Sequence, residues 1–144
     1  MKNKKLKQKL LNHMLKGGKK HTSEKNLIKS FKSIQKSKKK PHDTVMKSAI
    51  LNTTPMFRVI KLKVKNKRKK SVREIPAFLS TYHYRTSWTL KYLIKVSKTN
   101  KNFSENFVNE ILLSSKNESK SIILKNELQN KALQKKKYFK HYRW

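Results

Sequence analysis

A chain of 144 residues with 39 Lys+Arg against 7 Asp+Glu carries a formal charge of +32, and a compact body so charged repels itself unless a polyanion neutralises it. RNA or DNA does this better than a membrane surface, because each neutralised phosphate releases a condensed counterion. The absence of cysteine excludes disulfides, thiolate catalysis and cysteine-based zinc sites, and no apolar run approaches the roughly 20 residues of a membrane span.

The first predicted element is a helix over residues 4–16, with Leu6, Leu10 and Met14 on one face, Leu11 and Leu15 beside them and lysines opposite. Gly17-Gly18 stops it, since glycine takes the left-handed position after a helix at little cost. Thr22 or Ser23 is expected to cap a second helix with the stripe Leu27, Ile28, Phe31 and Ile34. Residues 36–42 form a basic linker in which Pro41 disfavours a helix interior. Asp43 is the expected cap of a third helix carrying Val45, Met46, Ala49 and Ile50, ended by Asn52 to Pro55. The period then changes. Ile60, Leu62 and Val64 alternate with Lys61, Lys63 and Lys65 as a half-buried strand. Asn66 to Lys70 is a polar turn, and residues 71–75 are a return strand closed by Pro76.

Residues 81–98 predict the longest helix, with Tyr84, Trp88 and Tyr92 at four-residue spacing read as core packing rather than base stacking. Asn102 and Glu105 have the spacing of a capping box before a fifth helix, whose core residues are Phe107, Ile111 and Leu112. A sixth helix runs from about Ser121 into Lys135–Lys137 with the weaker stripe Leu124, Leu128 and Ala132. The chain closes on an aromatic and basic tail, residues 138–144. No internal repeat interrupts this order. The expected fold is mostly α: a single domain over 1–144 containing a bundle of about six helices and one protruding two-stranded hairpin at about 56–76. The apolar fraction, 35%, is below the roughly 45–50% of typical globular chains, so its core is small.

No catalytic constellation emerges. Seven acids leave few carboxylate pairs for proton transfer, and no pair of the five histidines has helical metal-site spacing. Gly17-Gly18-Lys19-Lys20 lacks the spacing and the preceding strand of a phosphate-binding loop. The hairpin is more informative. Lys61, Lys63, Lys65, Lys67, Arg68, Lys69, Lys70 and Arg73 exceed what protection of a sheet edge requires. Tyr142, Arg143 and Trp144 interleave rings with a cation at a chain end, which suits stacking and phosphate contact. Charge alone also admits a histone-like or architectural DNA binder.

The ending Phe139-Lys140-His141-Tyr142-Arg143-Trp144 resembles the Phe-x-His-Tyr-Arg-Trp signature of the small-subunit ribosomal protein seven family of bacteria and organelles. Other fragments follow in the family's order: Asn12, Gly18 and Lys19-Lys20, then Glu24, then Ala49, Asn52 and Pro55, then Ile75-Pro76. Arg85, Leu93, Ile94 and Lys98 fit its central helix, with Tyr92 where the family has Trp; Glu110-Ile111-Leu112, Lys125 and Glu127 also match. The chain departs from the pattern in three places. Lys69-Lys70 replaces a glycine pair at the hairpin turn of a longer hairpin, the basic arm before the first helix is nearly absent, and Ser stands for a Gly near the start of the last helix.

The resemblance implies a structural component of the small ribosomal subunit with no cofactor and no activity of its own. It implies binding of small-subunit ribosomal RNA in the head region, support of head assembly, neighbouring head proteins as partners, and a position near the exit-site tRNA and the mRNA path. No membrane partner is expected. The expected RNA contacts are Lys5, Lys9, Lys16, Lys19 and Lys20 in the first helix and its turn, and the eight hairpin cations above. Arg85, Lys91 and Lys98 follow on the central helix, and Lys137, Lys140, His141, Tyr142, Arg143 and Trp144 in the tail. The first helix, the hairpin and the tail are expected to converge on RNA. Richness in lysine and asparagine over arginine suits an AT-rich genome. With no transit-like leader, it points to a mitochondrially encoded, ribosome-bound protein of the matrix; a plastid or a bacterial cytoplasm is the alternative.

Overall fold

The computed structural model describes residues 3–38, 41–65, 70–98 and 102–141. Among them, six α-helices and one antiparallel pair of strands follow in the expected order: α1 (Asn3–Met14), α2 (Lys20–Lys38), α3 (His42–Thr53), β1 (Phe57–Lys65), β2 (Lys70–Phe78), α4 (Tyr82–Ser97), α5 (Phe103–Ser115) and α6 (Lys120–Gln134). A 3₁₀ helix, Lys136–His141, follows and ends the described residues.

α5 lies at the centre, packed against α2, α3 and α4. Leu10, Met14, Leu27, Ile34, Ile50, Leu90, Leu93, Ile94, Phe107 and Ile111 form one buried cluster. Phe31 is only partly buried and stacks on His42 with ring centroids 4.6 Å apart. Ile28, expected in the α2 stripe, is exposed. Hydroxyl residues complete the small core. Thr86, Thr89, Ser97 and Ser114 are buried, and Thr89 and Ser97 donate to the carbonyls of Arg85 and Leu93 at 3.1 and 2.7 Å. Bonded so to their own helix, these side chains cost little to bury.

Several helix ends differ from expectation. Gly17 and Gly18 do stop α1, with φ of 57° and 72°. Thr22 and Ser23 are not caps but first-turn residues of α2, whose hydroxyls donate back to the Lys19 carbonyl at 2.8 and 3.2 Å. Pro41, not Asp43, is the N-cap residue of α3; Asp43 sits in the first turn, where a carboxylate meets the positive helix end. Asn102 precedes α5 as expected, but its side chain donates to Glu105 at 3.2 Å and caps no backbone group. Ser119 is the N-cap of α6, and its side chain accepts from the Ile122 amide. Asn117 holds the α5–α6 turn at φ 69°, with Glu118 N donating to Leu113 O and Asn117 N to Ser114 O, the paired bonds of a Schellman ending.

The strands pair from Phe57↔Phe78 to Lys65↔Lys70. β2 therefore passes through Pro76, opposite Val59, instead of ending there. A two-stranded ribbon has an open edge on each strand, where proline forgoes no ladder bond.

Candidate nucleic-acid interface

α4 positions the cations. β2 leads into it through residues 79–81, and Arg85 in its first turns reaches back. The Arg85 Nε donates to the Leu79 carbonyl at 2.5 Å, and the guanidinium lies 5.1 Å from the Phe78 ring centre. Arg85 thus ties the base of the hairpin to α4 and is half-buried in doing so. α6 packs on β1, and the terminal 3₁₀ helix packs on β2. Glu74 on β2 accepts from Lys135 and lies 3.6 Å from Lys61. The hydrogen bond and charge of Lys135, then Lys61, hold its carboxyl below the ordinary range. The paired strands and the 3₁₀ helix are therefore one unit, with Lys61 and Lys137 exposed on it.

The other end of α4 meets the α1–α2 turn. An open groove of about 690 Å³ lies there, floored by Met14 and Phe103 and edged by Lys16, Lys19 and Lys98. Lys20 is exposed next to it, 4.0 Å from Glu24. With 16 residues, α4 separates the two cationic ends by about 24 Å.

Between them α1 packs on α4. Lys9 Nζ donates to the His83 carbonyl and to Thr86 Oγ1, both at 2.5 Å, so this expected RNA contact is spent inside the protein. Partial burial lowers its pKa. His13 beside it is also pushed down, by burial first and then by the charges of Lys91 and Lys9. Lys91 is exposed, its ammonium 5.2 Å from the Trp88 ring centre.

Among the described side chains, Lys61 and Lys137 lie on the hairpin and the 3₁₀ helix packed against it, and Lys16, Lys19, Lys20 and Lys98 lie about the α1–α2 turn and the end of α4. Lys67, Arg68, Lys69, Tyr142, Arg143 and Trp144 lie outside the described residues, as do the side chains of Lys5, Lys63, Lys65, Lys70, Arg73, Lys140 and His141. Of the Tyr84 stripe, Tyr84 is 63% exposed and Trp88 and Tyr92 are only half-buried, while Thr86, Thr89, Leu90, Leu93, Ile94 and Ser97 fill the buried side of α4. Lys95 is also exposed on α4, one turn beyond Lys91 and opposite the buried residues of the helix. Lys125 donates to the Asn52 carbonyl at 2.7 Å, and Asn52 donates to Ser114 O at 2.9 Å, so two residues of the resemblance join α3, α5 and α6. Among the described residues no acid and histidine cluster suits a metal ion, and no helix is long and apolar enough to cross a membrane.

The family model described as Ribosomal protein S7p/S5e matches residues 1–136. The chain is similar to small ribosomal subunit protein uS7m of Reclinomonas americana, 28% identical over 138 residues that cover 94% of this chain and 83% of the relative. It is also similar to small ribosomal subunit protein uS7 of Exiguobacterium sibiricum, 30% identical over 145 residues that cover 99% and 88%.

Proposed function

The chain belongs to the ribosomal protein S7p/S5e family and is a structural component of a small ribosomal subunit, not an enzyme; from this we propose where it sits and which surfaces hold the RNA. It binds small-subunit ribosomal RNA in the head region, supports head assembly among neighbouring head proteins, and lies near the exit-site tRNA and the mRNA path. The carrying observation is the family match over residues 1–136. The charge of +32 supports it, since seven acids can neutralise at most seven of 39 cations.

Two surfaces take phosphates in this reading. One is the hairpin and tail, with Lys61, Lys63, Lys65, Lys67, Arg68, Lys69, Lys70, Arg73, Lys137, Lys140, His141 and Arg143, and with Tyr142 and Trp144 for stacking. The other is the groove with Lys16, Lys19, Lys20 and Lys98. Lys9 and Arg85 act chiefly by holding α1 and the hairpin onto α4. A mitochondrial ribosome is the proposed site, supported by similarity to the uS7m relative and by the lysine and asparagine bias; a bacterial-type ribosome is the runner-up. An architectural DNA binder would share the charge but not the family match.

Sucrose-gradient fractionation of purified mitochondria tests this. The protein should sediment with small subunits and assembled ribosomes through moderate salt. Recovery only with DNA or membranes would reject the assignment, and recovery only with ribosomes outside mitochondria would reject the compartment.

A further inference from the structure

We propose that Tyr84 is a stacking platform for an unpaired base of the ribosomal RNA, with Lys91 and Lys95 holding adjoining phosphates; the inference rests on the ribosomal reading above. Tyr84 is 63% exposed although it lies within a regular helix that has its own complete buried side. A lone exposed ring needs no explanation, but this one belongs to an ordered row. The His83 ring stands edge-on to Tyr84 with centroids 6.4 Å apart, and further along the same helix Trp88 and Tyr92 form a second ring pair with centroids 6.0 Å apart. Rings fixed in this way lose little freedom when a base lies on one of them.

Charge selects the occupant. Lys91 and Lys95 are exposed on the same helix, Lys91 two turns from Tyr84 and about 10 Å along the axis. A strand that stacks one base on Tyr84 and runs on along α4 brings its later phosphates past these ammonium groups, Lys95 lying about 16 Å from Tyr84 along the axis, and an aromatic ring accepts any base by its π-face. The row also runs along α4, the helix that links the two cationic groups, so RNA bound at both ends passes this helix.

The test is binding to a transcript of small-subunit ribosomal RNA across a salt series, with Tyr84→Ala, Tyr84→Leu and Tyr84→Phe beside wild type. Ala and Leu should lower affinity about 5- to 100-fold and Phe should restore it. The dependence of affinity on salt should keep its slope, because no phosphate contact is lost. Tyr84→Ala binding as well as wild type, or Leu serving as well as Phe, would overturn the stacking alone. Intact RNA affinity with lost incorporation into subunits would assign the row to a protein neighbour and also overturn it. Wild type that fails to bind the transcript would overturn the ribosomal reading and this inference together.

Discussion

Glu110 on α5 accepts a 2.8 Å hydrogen bond from the backbone amide of Ser121, in the first turn of α6. The carboxylate is 5% exposed and faces the positive end of a helix, so one side chain fixes where α6 starts relative to the central helix. Glu110→Ala leaves a buried amide without its acceptor and should cost about 1–3 kcal/mol, read as a lower urea midpoint. Glu110→Gln keeps an acceptor oxygen and should lose less.

Leu93 on α4 is fully buried in the shared cluster. Leu93→Ala should cost about 2–5 kcal/mol in the same denaturation. The exposed Leu113→Ala should cost far less. Equal losses would show that the register of these helices is wrong.

His13 supplies a pH dependence. Its folded pKa lies below the ordinary value of about 6.5 through burial and the charges of Lys91 and Lys9. The unfolded chain then binds more protons than the folded one, so this contribution is complete above about pH 6.5 and is lost as pH falls toward the folded pKa. Urea midpoints measured from pH 7.5 down to 5 should fall, and His13→Gln should flatten that fall.

Lys9 and Lys19 should separate stability from RNA contact. Lys9→Met removes the ammonium bound to His83 and Thr86 and should lower the unfolding midpoint with little change in the salt slope of RNA binding. Lys19→Ser leaves the fold intact and should reduce that slope by about one unit or slightly less. The opposite pattern would reverse the roles assigned to the two lysines.

Placed charge and bulk charge can be distinguished in the hairpin. Changing Lys67, Arg68, Lys69 and Lys70 together to Ser should flatten the salt slope by roughly three units if all four touch phosphate. Changing Lys36, Lys38, Lys39 and Lys40 should do much less. Equal effects on the same RNA would mean that the charge acts only in bulk.

The helices were legible because Leu10, Met14, Leu93, Phe107 and Ile111 recur at helical spacing, and the hairpin because lysine and aliphatic residues alternate from Ile60. Spacing says that residues share a face but not which face turns inward. On α4 the large rings of Tyr84 and Trp88 suggest the inward face, yet Thr86 and Thr89 are the buried residues, each bonding within its own helix. Cations showed a similar limit. Composition counts Lys9 with Lys16 and Lys19, but only the packing of α1 on α4 distinguishes an ammonium already bonded from one that is exposed.

α4 is a rod about 24 Å long, so a protein that holds RNA at both of its ends, as proposed above, acts as a bivalent ligand. Once one end holds its stretch of RNA, the second stretch is searched for at an effective concentration fixed by a helix that neither stretches nor bends freely. Two weak, salt-sensitive contacts then act as one strong contact. RNA segments held in this way take a separation set by the length of α4 rather than by the RNA itself.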